Sequence, residues 1–262
     1  MSIDGSYLGL PFTIGRNKSV VFGMLKGRIW TRIQSWKHQF LSAAGKEMLI
    51  KSVMLAIPNY YFNVFLIPLS ICVDIESCLN AFWWGNKKKE ESRGIHWSDW
   101  DKLCLPKNLG GMGFRKLRDF NLAMLSKQGW KLLSSPNSLV YRVFHAKYFY
   151  NSDFLNAKLG ANPSYVWRSL MAAQEIVRKG TRWRIGRGNS LRMELGCGMA
   201  TVLGDADREV IRKIVLLNNI EEDRLIWYPE VRGTFLVKSA YRMSFGDRRN
   251  DRVGEEFFWK WF

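Results

Sequence analysis

The apolar residues between Ser19 and Phe40 recur at the spacing of one helical face. The series consists of Phe22, Leu25, Ile29, Ile33, Trp36 and Phe40. Successive members lie three or four residues apart, which is the period of an amphipathic α-helix with one buried face. The pattern therefore predicts a helix that packs against at least one neighbour.

A second helix is predicted directly after the first. Ser42 is placed to cap its N-terminus. Pro58 lacks the backbone N–H that would extend it beyond Ile57. The two helices are expected to form a helical hairpin.

Further helices and a few short strands complete the predicted fold. The helices cover Pro68–Trp84, Asp119–Leu133, Ser138–Tyr148 and Ser164–Lys179, with Gly85 and Gly180 as stops. One β-hairpin is predicted around the turn at 186–189, and a second pairs Arg224–Tyr228 with Thr234–Lys238 around Gly233. We predict a mainly α fold with small β-hairpins, in the α+β class.

The charge distribution points to a polyanionic partner. The 262 residues contain 40 Lys and Arg against 23 Asp and Glu, a formal net charge of +17. Such a surplus favours nucleic acid or an acidic membrane surface. Residues 193–262 contain eleven basic and twelve acidic side chains, so the excess lies before residue 193. We expect this last segment to have a different function from the basic part of the chain before it.

Metal-ligand and redox patterns are weak. The chain has three histidines and four cysteines, namely His38, His96, His145, Cys72, Cys78, Cys104 and Cys197. They form no CxxC pair and no dense disulfide framework, which is typical of a reducing compartment. The longest apolar stretch, residues 60–73, is too short to span a bilayer. We predict a protein that is neither secreted nor membrane-bound and has no cofactor.

Two acidic pairs and one glycine cluster are candidate Mg²⁺ or phosphate sites. Asp99 with Asp101, and Asp205 with Asp207, could supply oxygens to Mg²⁺, but their positions also suit helix N-termini, which we favour. The cluster of Gly110, Gly111 and Gly113 matches no phosphate-loop pattern, so it is interpreted as a turn.

The predicted first helix carries a candidate strand-binding surface. At about 100° per residue, Lys26, Trp30 and Lys37 fall on one flank of the apolar face, and Arg28 and Arg32 fall on the other. Lysines beside a tryptophan can neutralise phosphates while the indole stacks on a base. The alternative is that Trp30 belongs to the core edge and the lysines extend over it.

A second basic cluster lies around the end of the 164–179 helix. Its members are Arg178, Lys179, Arg182, Arg184, Arg187 and Arg192. Part of it has a local explanation, because cations near a helix C-terminus complement its dipole. Six cations in fifteen residues exceed that need, so we also assign them to nucleic-acid binding. The tryptophans Trp83, Trp84, Trp97 and Trp100 are instead predicted to belong to the core.

Six strings in order carry a family resemblance. They are Tyr7–Pro11, Phe82–Gly85, Gly110–Arg115, Ala123–Trp130, Pro163–Ser169 and Trp183–Gly186. In this order and spacing they resemble the region downstream of the polymerase palm in plant LINE-type (non-LTR) retrotransposon reverse transcriptases. The tail, 223–241 and 259–262, is similar to the opening of the zinc-binding domain that follows in those proteins.

The resemblance implies a division of the chain and a role. Residues 1–86 would be a helical thumb-like region, 87–192 a basic helical connection region, and 193–262 a truncated start of the zinc-binding domain. In the family, polymerisation belongs to a palm with a Tyr-x-Asp-Asp motif for two Mg²⁺ ions, and no such string occurs here. We therefore expect a fragment that binds RNA, DNA or their hybrid and does not polymerise alone.

Several alternatives stay open at this point. The chain could be a non-functional retroelement remnant, or the processivity part of an RNA-directed DNA polymerase whose palm is a separate chain. A basic protein on an acidic membrane is a third reading, disfavoured because no helix combines a Lys-rich face with a free apolar face. We predict nuclear residence, with mitochondria as the alternative.

Overall fold

In the computed structural model the chain is mainly helical, as the sequence predicts. The structure describes residues 6–7, 10–11, 18–37, 41–85, 97–184 and 223–250. The helices are α1 (Lys18–Lys37), α2 (Ala43–Leu49), α3 (Asn59–Phe62), α4 (Leu69–Trp84), α5 (Trp100–Leu103), α6 (Leu117–Ser134), α7 (Leu139–Tyr148), α8 (Tyr165–Ala172), α9 (Gln174–Gly180) and α10 (Val237–Asn250). The strands are β1 (Ser6–Tyr7), β2 (Leu10–Pro11), β3 (Thr181–Arg184) and β4 (Arg224–Trp227).

The chain divides into two compact units. Unit 1 comprises Met1–Val177 and Val237–Phe262, and unit 2 comprises Arg178–Leu236. The predicted region boundaries near 86 and 192 both lie outside the described residues, so that division stays a prediction.

Helix α1 buries the face that its apolar spacing predicts. Phe22, Leu25 and Ile29 are at most 1% exposed, and Ile33 is 5% exposed. These side chains lie in the main core of unit 1, where α1 packs against α4. The predicted last apolar position, Phe40, is outside the described residues.

The second helix begins as predicted and ends earlier. The Ser42 hydroxyl accepts a hydrogen bond from the backbone N–H of Gly45 at 3.2 Å, which caps α2. Helix α2 ends at Leu49, and Ile50–Met54 continue as a π-helical turn. The prediction of one helix to Ile57 is therefore wrong in its end, because five residues adopt the wider turn.

Polar contacts join α4 to α2 and α6. At the C-terminal end of α4, Lys46 Nζ donates to the carbonyls of Trp83 (3.1 Å) and Gly85 (2.8 Å). Glu76, only 3% exposed, accepts from the backbone N–H of Leu117 at 2.7 Å, which satisfies the first turn of α6. Burial raises the pKa of Glu76, although the ammonium of Lys116, 2.9 Å away, opposes this.

Helix α10 packs against the core of unit 1. The Tyr241 hydroxyl accepts from the backbone N–H of Lys116 at 3.1 Å. The Ser244 hydroxyl donates to Asp119 Oδ1 at 2.7 Å, and both residues are buried. The C-terminal segment therefore contributes to the same core as residues that precede it by more than a hundred positions.

The predicted 164–179 helix is two helices. Ala173 interrupts it, and its N–H bonds to the Leu170 carbonyl at 3.0 Å in a tight turn. The side-chain amide nitrogen of the next residue, Gln174 Nε2, donates to the carbonyls of Phe154 (2.7 Å) and Ala157 (3.0 Å). A tertiary contact thus adjoins the break, which the apolar spacing does not show.

The strand pairing differs from the predicted hairpins. β3 pairs with β4 in antiparallel register, with Thr181 opposite Trp227 and Arg184 opposite Arg224. The predicted turn at 186–189 and the strand after it lie outside the described residues. Residues 234–236 form no strand, and α10 starts at Val237, so the second predicted hairpin is wrong. Its turn is correct, because Gly233 has φ 68° and donates to the Glu230 carbonyl at 2.8 Å.

Candidate nucleic-acid interface

Helix α1 exposes parts of the predicted strand-binding surface on both flanks of its buried face. Arg28 and Arg32 are exposed, and Trp30 is 50% exposed and lies outside the core cluster. Within the described residues no carboxylate lies within ion-pair distance of either arginine. The geometry thus places two cations and an accessible indole on this helix.

The two lysines predicted for this surface are Lys26 and Lys37. Lys26 Nζ lies 2.8 Å from Asp74 Oδ2 on α4. The hydrogen bond that Lys26 donates to Asp74 raises the pKa of Lys26, and the ammonium is already paired within the fold. Lys37 ends α1, but its side chain lies outside the described residues.

The β3–β4 hairpin of unit 2 gathers the second basic cluster. Because side chains alternate along a strand, Arg182 and Arg184 share one face of the hairpin. The register puts Arg224 directly opposite Arg184 on that face. Sequence reasoning missed Arg224, because the pairing joins segments about forty residues apart.

Aromatic rings lie next to these arginines. A concavity of about 750 Å³ is lined by Arg182, Trp183, Arg184, Ile226, Tyr228, Val231 and Gly233. Tyr228 is 68% exposed, so its ring is open to a ligand, whereas Trp183 is 41% exposed and the alternation of β3 points its side chain to the other face. The Arg182 guanidinium lies 5.8 Å from the centre of the Tyr228 ring, and its NH1 donates to the Thr181 carbonyl at 2.7 Å. The concavity therefore combines fixed positive charge with an accessible aromatic ring.

The opposite side of the hairpin anchors it. Trp227 is completely buried and packs beside Gly180, where a Cβ would come within 2.2 Å of the indole. Its ring centre lies 4.5 Å from that of Phe235. This packing holds β4 so that Tyr228, the next residue, is presented at the rim of the concavity.

The remaining predicted cations of this cluster are placed in part. Arg178 and Lys179 are exposed in the last turn of α9, where they also complement the helix dipole. Arg187 and Arg192 lie outside the described residues. Four of the six predicted cations are therefore exposed within seven residues of unit 2.

The weaker motifs have structural roles. Asp99 Oδ1 accepts from the Lys102 N–H at 2.9 Å and caps α5, and Asp101 pairs with Lys116. This confirms the helix-start interpretation for the first acidic pair, while Asp205 and Asp207 lie outside the described residues.

The glycine-turn interpretation is also confirmed. Gly110 and Gly113 have φ of 79° and 67°, a region that favours glycine. The N–H groups of Gly111 and Gly113 bond to the carbonyls of Pro106 (3.1 Å) and Leu105 (2.7 Å), so they are not turned toward a phosphate.

The described residues include no cluster of metal ligands and no membrane-spanning helix. Over the described part of the chain, no three His, Cys, Asp or Glu side chains converge to hold a metal ion. No helix among those residues is both long and apolar enough to cross a bilayer.

One tryptophan prediction is wrong. Trp100 is buried, and Trp83 and Trp84 pack against the core, as predicted. Trp97 is 76% exposed, because it precedes α5 and not a buried helical face.

Fold and surface together define a mainly helical protein with a cationic and aromatic hairpin, and comparison with known proteins adds its relatives. Over 135 residues the chain is 36% identical to the uncharacterized mitochondrial protein AtMg00310 of Arabidopsis thaliana. The matched segment covers 51% of this chain and 86% of that protein. The chain belongs to the family of that plant protein.

A second relative is longer. Over 188 residues the chain is 31% identical to the putative ribonuclease H protein At1g65750 of Arabidopsis thaliana, a match that covers 70% of this chain and 30% of that protein. The chain thus corresponds to less than a third of this relative. No family model matches the sequence, and no solved structure matches the fold.

Proposed function

We propose that this chain is a retroelement-derived fragment, of the plant LINE-type reverse transcriptase kind, that binds RNA, DNA or their hybrid without base specificity. The observation that carries the proposal is the unit 2 concavity, where Arg182 and Arg184 lie on the same face of the hairpin as the exposed Tyr228 ring. Arginines that neutralise phosphates beside aromatic rings that stack on bases are the usual means of sequence-tolerant strand binding.

The cross-strand register supports an anionic partner. Arg184 and Arg224 lie directly opposite each other in the hairpin. Two guanidinium groups at this position, with Arg182 on the same face, concentrate positive charge that favours a phosphate group. On α1, the exposed Trp30 lies on one flank of the buried face, and the exposed Arg28 and Arg32 lie on the other.

The relatives support the retroelement part of the proposal. One of them is named a putative ribonuclease H protein, which fits a chain that handles nucleic acid. The mitochondrial name of the other favours the mitochondrial alternative for residence. Polymerisation with Mg²⁺ would need a palm domain with its Tyr-x-Asp-Asp motif, a string that these 262 residues do not contain.

The test is a salt titration of binding to a fluorescent single strand, followed by anisotropy. Affinity should fall with salt at a logarithmic slope of about 0.7 per phosphate contact. Tyr228→Ala should weaken binding about 5- to 150-fold, because one stacked base contributes about 1–3 kcal/mol. Arg184→Gln should lower the magnitude of this slope by about 0.7, the value for one phosphate contact.

Two exposed residues supply matched controls. Trp97→Ala removes an exposed indole outside the concavity, and Arg142→Gln removes an exposed cation on α7. Both variants should bind as the parent does. Binding that is independent of salt, or equal losses in Tyr228→Ala and Trp97→Ala, would reject the proposal.

A further inference from the structure

Unit 1 contains a basic pocket that the proposed strand-binding surface does not include. The pocket has a volume of about 310 Å³ and is lined by Lys18, Leu66, Ile67, Pro68, Leu69, Arg118, Tyr165, Arg168 and Ser169. Three of these side chains are cationic and come from three different helices, α1, α6 and α8. Among the described residues that line it, none is Asp or Glu.

Hydrogen bonds fix the wall of this pocket. The Ser169 hydroxyl accepts from the Leu66 N–H at 2.8 Å. The Tyr165 hydroxyl donates to the Leu66 carbonyl, and Arg118 NH1 donates to the Ile67 carbonyl at 3.0 Å. The backbone at 66–67 is therefore held from two helices, and the Arg118 guanidinium is oriented before any ligand arrives.

The other two cations lie at the pocket's accessible side. Lys18 Nζ is 4.8 Å from the centre of the Tyr165 ring, in a cation–π contact that keeps the ammonium beside the pocket. Arg168 follows Tyr165 by three residues on α8 and is exposed, so its guanidinium is free to move onto a ligand.

The electrostatics of this arrangement favour an anion. Three cationic side chains line one small cavity and no acidic residue is among its described lining, which favours an anion there. The sixteen-residue α4 begins at the same wall, with no acidic residue in its first turn and no side-chain cap, so its dipole adds positive potential. The volume also falls within the range of about 300–1,000 Å³ that small-ligand pockets occupy.

We infer that this pocket binds a phosphate group. The planar guanidinium groups of Arg118 and Arg168 match phosphate oxygens in paired hydrogen bonds, and Lys18 supplies a third charge. This inference does not depend on strand binding by the unit 2 concavity, because the two sets of residues share no member. The phosphate could belong to a nucleic-acid strand or be a free ion.

The experiment measures thermal unfolding of the full chain in inorganic phosphate and in chloride at equal ionic strength. Phosphate should raise Tm, since a ligand that binds only the folded state stabilises it. Arg168→Gln should weaken phosphate binding about tenfold or more, because a charge-assisted hydrogen bond is lost. Arg168 is exposed, so this variant should fold.

Arg142→Gln is the matched control, because it removes an exposed helical arginine that does not line the pocket. It should keep the full phosphate response. Equal Tm in phosphate and chloride, or equal responses of the two variants, would overturn the inference.

A second measurement distinguishes the sources of phosphate. Strands with a 5′-phosphate and with a 5′-hydroxyl are compared for binding to the parent and to Arg168→Gln. A loss confined to the 5′-phosphorylated strand assigns the pocket to a strand end, and an equal loss for both assigns it to an internal phosphodiester. A response to inorganic phosphate alone assigns it to the free ion. Unchanged strand binding with a lost phosphate response separates this pocket from the unit 2 concavity.

Discussion

Replacement of Asn121 by Leu should destabilise unit 1 more than any surface change. Asn121 is completely buried on α6. Its Nδ2 donates to the carbonyls of Phe62 (3.1 Å) and Phe65 (2.9 Å), and its Oδ1 accepts from the Ile67 N–H at 2.8 Å. One side chain therefore holds the segment that leads into α4.

The magnitude follows from the groups left behind. Leucine has a similar size, so the cavity change is small, but the buried Ile67 N–H loses its acceptor at a cost of about 1–3 kcal/mol. Each of the two carbonyl contacts adds about 0.5–1.5 kcal/mol. We expect a total loss of about 2–6 kcal/mol, against a usual domain stability of about 5–15 kcal/mol.

Urea unfolding followed by tryptophan fluorescence measures this loss. The matched control is Gln128→Leu, two turns later on α6, which removes one partly buried bond to Asn63 Oδ1 at 3.3 Å. The control should lose less than about 1.5 kcal/mol. A loss below 1 kcal/mol for Asn121→Leu, or equal losses in both variants, would refute the reasoning.

The same variant tests the basic pocket from its wall. Ile67 lines that pocket, and its carbonyl orients Arg118. We therefore expect the phosphate response of Asn121→Leu to fall as well, measured at a temperature where the variant is folded.

Two further predictions concern packing and pH. Gly180→Ala should destabilise unit 2 by about 1–3 kcal/mol, because the new Cβ would lie 2.2 Å from the Trp227 ring; thermal unfolding should show no such loss for Gly27→Ala, where nothing lies within 4 Å. The raised pKa of Glu76 means that its contribution to stability is present below the ordinary glutamate value of 4.5 and is lost as pH rises through the raised value. The free energy of unfolding of the parent relative to Glu76→Gln should therefore fall over that pH range, and a constant difference would contradict this sign.

Local features of the fold were predictable because they depend on neighbours in sequence. The buried face of α1 follows from apolar spacing, and Ser42 and Ser138 cap α2 and α7 as their positions suggest. The glycine turns at 110–113 likewise follow from residues that adopt positive φ. Each signal is contained within one continuous segment of the chain.

The candidate interface was predictable in composition but not in geometry. The sequence identified Arg182 and Arg184 as cations beside a strand. It could not show that Arg224 and Tyr228 lie next to them, because antiparallel pairing across about forty residues leaves no local mark. The pairing of Lys26 with Asp74 was hidden for the same reason.

By itself the sequence determined a mainly helical, basic chain with defined helix starts, since helical period, capping and charge are properties of short segments. Only the tertiary structure decided that α10 joins unit 1, that β3 pairs with β4, and that Lys18, Arg118 and Arg168 line one pocket. These arrangements depend on which distant surfaces bury one another, and the free energy of that burial is set by complementary shape across the whole core.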